Sequence, residues 1–123
     1  VAVDATRRSL AGLVLLVGAI AVATQWLGDR AQERLGEQMA AAARAGDIRM
    51  ISSLTCPYCT EARLWFERHG VPFDECFVER DTACEAELDA LPKPATPTLI
   101  VRGQVQTGFD AARVLKALQA PQT

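Results

Sequence analysis

Cys56 and Cys59 lie three residues apart in the stretch LTCPYCTEA, with Pro57 and Tyr58 between them. Two thiols at that spacing have three chemical uses: half of a metal site, a closed disulfide, or a dithiol that exchanges disulfides with a partner. Cys76 and Cys84 bring the cysteines to four, too few for a disulfide-held miniprotein but enough for a redox site and a second pair. Structural zinc takes two tight knuckles, and only Cys56 and Cys59 have that spacing, so a four-cysteine zinc site is the weakest of these readings and no metal is expected. Seven residues separate Cys76 from Cys84. That interval suits a small loop closed by a structural disulfide. A second redox pair that relays electrons, or two free thiols, are the alternatives.

The choice among these uses depends on the elements that carry the cysteines. IRMISS, from Ile48, is a short apolar run and reads as a strand. PYCTEARLWFERHG reads as a helix, since a proline in the first turn loses no hydrogen bond, and His69 and Gly70 close it. VPFDECFVE reads as a second strand. Thr82 and Glu85 form a capping-box pattern that opens a helix to about Leu91. PTLIVRG and QVQTG make a strand pair turning at Gly103 and Gln104. Asp110 caps a last helix, AARVLKALQ, with Ala112, Val114, Leu115 and Leu118 on its apolar face. The predicted order is β-α-β-α-β-β-α: a parallel first pair joined by a right-handed crossover, then an antiparallel hairpin. A four-stranded mixed α/β sheet with helices on both faces follows.

This layout puts Cys56 at a strand-to-helix junction and Cys59 one turn into the helix. A helix N-terminus offers free N–H groups and partial positive charge, which stabilise a thiolate, and the thiolate is the nucleophile. Cys59 can then attack a mixed disulfide formed on Cys56 and release the partner. Pro97, in ATPTL, sits just before the third strand, where a cis peptide after Thr96 would make a deliberate turn. The Thr96 backbone could there pair with an extended substrate.

The chain has 123 residues, 50% of them hydrophobic, and a formal net charge of −2. Much of that apolar content lies in SLAGLVLLVGAIAVATQWL, an uncharged run from Ser9 to Leu27. As a helix, Leu10 to Leu27 spans about 27 Å, close to the hydrocarbon thickness of a bilayer. Arg7 and Arg8 precede it, and Trp26 suits an interface. Residues 1–28 are therefore expected to be a transmembrane anchor. A cleaved signal peptide, with AVA at 21 to 23 as its cleavage pattern, and a buried soluble helix are the alternatives. Residues 29–47 read as an Ala-rich, charged helical stalk ending at Gly46, residues 48–119 as the catalytic domain, and 120–123 as a tail. The expected location is a bacterial inner membrane with the domain in the periplasm. No basic run with interleaved aromatics is present, so no nucleic-acid partner is expected.

TCPYC, then TPT, then GFD before a final helix together resemble glutaredoxin, a small member of the thioredoxin superfamily, over about Ile48 to Leu118. The resemblance implies Cys56 as attacking cysteine, Cys59 as resolving cysteine and Pro97 as the family's cis-proline. It implies a substrate or glutathione groove made by Tyr58, Thr96, Pro97, Gly108, Phe109 and Asp110. The chain departs from the family at Ser53, where glutaredoxins usually carry lysine, and at Thr96, where valine is usual. A threonine there is similar to periplasmic disulfide isomerases and oxidoreductases. The expected activity is thiol-disulfide exchange with protein thiols and disulfides, by a monomer without a bound cofactor and with glutathione as a co-substrate. The alternative is a docking module that holds a membrane partner in the Thr96–Pro97 groove with incidental redox activity.

Overall fold

A computed structural model describes residues 1–121 of the chain; the last two residues of the expected tail, 122–123, lie outside the described residues. The chain divides into two compact units, Val1–Glu33 and Arg34–Thr123. Helix α1, Ala2–Ala42, runs through both. In the first unit every residue is exposed. An 18-residue window of α1 has a mean hydropathy of 2.1 with none of it buried, so the helix is long and apolar enough to cross a membrane. Arg30 stacks over the Trp26 ring at 3.8 Å.

The second unit holds strand β1 (Ile48–Ser52), helix α2 (Pro57–His69), strand β2 (Asp74–Phe77) and helix α3 (Thr82–Asp89). Strands β3 (Thr98–Val101) and β4 (Gln104–Thr107) and helix α4 (Ala111–Gln119) complete it. The sheet order is β2-β1-β3-β4; β1 runs parallel to β2, and β3 runs antiparallel to β1 and β4. The register sets Met50 opposite Leu99 and Ile48 opposite Val101. Side chains alternate across a strand, so these four share one face, and they are fully buried with Phe66 of α2 and Val114 of α4. Arg49 points to the other face, where it ion-pairs with Glu87 of α3. Helices thus cover both faces, as predicted.

Three local expectations need correction. Thr82 and Glu85 do not cap α3. Asp81 does, because its carboxylate accepts from the N–H groups of both Ala83 and Cys84, a charge-assisted pair that a threonine hydroxyl cannot match. On α4, Ala111 is buried and Ala112 exposed. The stalk helix ends at Ala42 instead of Gly46, and its final turns lie in the core of the second unit. Met39 is fully buried, and Leu35, Ala40 and Ala42 pack against the same cluster. Gly36 is where α1 meets α2: a Cβ there would sit 2.4 Å from His69 Cγ, so only glycine admits that imidazole. His69 Nδ1 lies 2.8 Å from the Trp65 carbonyl oxygen.

Arg102, at the β3–β4 turn with a positive φ of 47°, ties three segments together. Its guanidinium donates to the carbonyls of Leu118 and Ala42 and to the Asp47 carboxylate. That contact, with the Arg44 backbone N–H, holds the Asp47 carboxyl below its ordinary range.

Candidate active site

Cys56 is the N-cap of α2. Its backbone is extended, with φ −98° and ψ 107°, and Pro57 occupies the first turn. The Cys59 N–H donates to Cys56 Sγ at 3.2 Å, so the sulfur takes the place that a serine or aspartate oxygen holds at an ordinary cap. Sulfur at this position faces unsatisfied N–H groups and the positive end of the helix. Cys56 is half-buried and Cys59 fully buried. The two are joined as a disulfide with their Cα atoms 5.3 Å apart. A partner thus reaches Cys56 first, with Cys59 directly behind it.

The Thr96–Pro97 peptide is cis, and the Thr96 carbonyl oxygen lies 3.5 Å from Cys56 Sγ. Thr98 Oγ1 donates to the Ala95 carbonyl at 2.6 Å, and the Gly108 N–H donates to the Pro97 carbonyl at 2.8 Å. The second bond brings the end of β4 against the proline loop, and Gly108 makes that turn at φ 77°. Phe109 follows, with its ring 5.3 Å from Trp65 and 5.1 Å from Phe66. The aromatic cluster fixes the floor from below.

Of the residues expected at the site, Tyr58, Thr96, Pro97, Gly108 and Phe109 line one groove of about 320 Å³. Asp110 is not among its lining; its carboxylate accepts from the Arg113 N–H and caps α4. Two lining residues were not anticipated, Glu61 and Thr107. Glu61 could have been found from its position two residues after Cys59 on the outer side of α2. The strand-to-helix loop is held by Glu79, which accepts from Ser53 Oγ and, at 3.1 Å, from the Leu54 N–H. The Ser53 hydroxyl foremost, with that N–H, keeps the Glu79 carboxyl below the usual glutamate range. On α2, Arg63 grips Glu75 of β2 through two bonds of 2.8 Å. Burial pushes the Glu75 carboxyl up, but Arg63 and the Ser52 hydroxyl together leave the group lowered.

Cys76 and Cys84 are also bridged, with Cα atoms 6.2 Å apart, tying β2 to α3. Arg49 Nη2 lies 3.5 Å from Cys76 Sγ. Among the described residues no group of three or more His, Cys, Asp or Glu side chains is placed to hold a metal ion.

Residues 48–106 match the family model described as Glutaredoxin. Similar solved structures include a variant of the thioredoxin-like protein BC3987, at 25% identity and TM-score 0.51, covering 59% of this chain and 95% of that one. The glutaredoxin of Methanosarcina mazei Go1 aligns at 23% identity and TM-score 0.52, over 61% of this chain and 80% of its own. A buckwheat glutaredoxin–glutathione complex aligns at 14% identity and TM-score 0.50, over 72% of this chain and 88% of its own. No curated protein matches by sequence. The latter two likenesses establish the fold, and the family match joins that fold to the Cys56–Cys59 spacing. Residues 48–106 thus match the glutaredoxin family model on a glutaredoxin-like fold, and together these support a thiol-disulfide oxidoreductase.

Proposed function

We propose that this domain exchanges disulfides with protein thiols through Cys56 as the attacking sulfur and Cys59 as the resolving sulfur, and that residues 1–28 tether it to a bacterial inner membrane with the domain on the periplasmic side. The observation that carries the chemistry is the place of Cys56. It is the reachable member of the pair, capped by a helix N-terminus and 3.5 Å from the Thr96 carbonyl.

In the reducing direction the Cys56 thiolate attacks a partner disulfide, breaking that S–S bond and releasing one partner thiolate, which takes a proton. The Cys59 thiolate then attacks Cys56 Sγ of the mixed disulfide. The second partner sulfur leaves as a thiol, and the Cys56–Cys59 disulfide forms; two electrons have passed to the partner. The reverse sequence oxidises a partner dithiol. Tyr58, Thr96, Pro97, Gly108 and Phe109 hold the partner chain beside the sulfur, with the Thr96 backbone pairing to an extended segment. Asp110 supports this wall by capping α4. A peptide-sized thiol is the class of partner we propose there, in keeping with the glutathione of the buckwheat complex. Cys76–Cys84 is a structural brace in this reading, in keeping with an oxidising compartment.

The test of the chemistry is Cys56→Ser. Exchange activity is expected to fall to the uncatalysed rate, and full activity in that variant overturns the assignment. The location is tested by protease access in spheroplasts, where cleavage of the domain from outside is expected. Protection until the membrane is ruptured, or recovery of the protein in the soluble fraction, overturns the tether and its orientation.

A further inference from the structure

The groove beside Cys56 has a charge character that its shape does not reveal. Glu61 is the one carboxyl side chain in its lining; the remainder are hydroxyls, backbone amides, the Pro97 ring and two aromatic rings. Glu61 is exposed on α2, two residues beyond Cys59. A second carboxylate, Glu79, holds the Leu54 N–H two residues before Cys56. The Ser53 hydroxyl bonded to it holds this carboxyl below the ordinary glutamate range. One carboxylate thus lies two residues past Cys59, and a second is bonded to the backbone two residues before Cys56.

Two basic groups nearby, Arg63 and Arg80, are committed away from the groove. Arg63 is bidentate on Glu75, and Arg80 lies over the Phe77 ring. Arg113 donates to the Thr107 carbonyl at the rim, with Asp110 on the same turn of α4. Lys93, three residues before Thr96, is exposed and outside the lining. A cleft lined by one sign of charge concentrates partners of the other sign and repels its own. Glutathione carries two carboxylates against one ammonium. An internal segment of a polypeptide brings no terminal carboxylate, and a lysine or arginine beside its cysteine would meet Glu61.

We propose that this site selects disulfides in neutral or basic polypeptide segments over anionic small thiols such as glutathione, with Glu61 as the specificity-determining residue and Glu79 adding to the field. The proposal rests on Cys56 as the attacking sulfur. The reduced dithiol gives two electrons to the peptide disulfide by the two displacements described above, and no further reductant enters that half-reaction.

The test uses the full chain, reduced, in non-ionic detergent, against four small disulfides. These are cystamine (a dication), bis(2-hydroxyethyl) disulfide (neutral), 3,3′-dithiodipropionate (a dianion) and glutathione disulfide. Rates for each protein are normalised to the neutral disulfide. The cystamine-to-dithiodipropionate ratio is expected to drop about two- to fivefold in Glu61→Gln, to drop further in Glu61→Lys, and to shrink in the unaltered protein at about 0.5 M salt. Glutathione disulfide should gain on the neutral reference in both variants. Ratios that are the same in all three proteins overturn the specificity proposal and leave the exchange reading standing. Exchange with the neutral disulfide that survives Cys56→Ser overturns the exchange reading itself.

Discussion

The molecule contains two cysteine bridges built on the same covalent bond and surrounded differently. Cys56 caps a helix, is half-exposed and touches the carbonyl of Thr96, a residue of the groove. Its partner lies three residues on within the same turn. Cys84 is fully buried, and its bridge to Cys76 joins a strand to the next helix across a loop. The first pair can open with little rearrangement, because both sulfurs belong to one rigid helical turn. Opening the second frees two separate elements. Chemistry at a thiol is thus set by access and by the helix end it faces, whereas bracing is set by how much chain the bond constrains.

The sharpest way to break this contrast is to exchange the roles by mutation. Cys56→Ser should abolish exchange, while the double variant Cys76→Ala/Cys84→Ala should keep it; a fall in exchange to background in the double variant would make the second bridge part of the catalytic relay. Next in size, Cys59→Ser should trap a mixed disulfide on Cys56, visible as an added mass that reductant removes. No trapped adduct with any disulfide substrate would deny Cys59 its resolving role. Loss of the second bridge closes no loop in the unfolded chain, and for a loop of this length the entropic penalty is about 2.5 kcal/mol. Thermal or urea unfolding of the double variant should reveal that loss, and an unchanged midpoint would remove the brace.

A smaller effect concerns the cap that aligns Cys84. Asp81→Ala leaves the Ala83 and Cys84 N–H groups without their carboxylate and should cost about 1 kcal/mol, with exchange rates at Cys56 unaffected. The smallest is at Glu79. Because its folded pKa is lowered, its contribution is present above the ordinary glutamate range and lost as pH falls through and below it. Hydrogen exchange at Leu54 should therefore be faster in Glu79→Gln than in the unaltered protein at neutral pH, and the two should converge in acid. A difference that persists in acid would show that the carboxylate charge is not what holds the loop.

Much of the fold was legible because it is written in local signals. Apolar runs marked β1 and β3, Pro57 and Gly70 bounded α2, and the spacing of Val114, Leu115 and Leu118 marked the buried side of α4. The end of α1 was hidden for a physical reason. Its alanines and alternating charges read as a solvated helix, and the apolar stripe at Leu35, Met39 and Ala43 is thin. Gly36 gave no sign of its role, since what requires glycine is an imidazole 33 positions away in sequence. The cap of α3 was ambiguous because Asp81 and Thr82 are both capping residues, and only the backbone decides between them. At the site, the cysteines and the proline loop announced themselves by spacing. The Glu61 and Glu79 carboxylates did not, because their effect depends on which loop and groove the fold brings beside them.

Arg102 has a mechanical consequence. One guanidinium grips the carbonyl ends of α1 and α4 and the acid that follows α1, so the ends of these two helices are clasped to each other. A pull between Ala42 and Leu118 loads that clasp before it peels any strand from the sheet. The dithiol loop lies at the far end of β1 from this clasp.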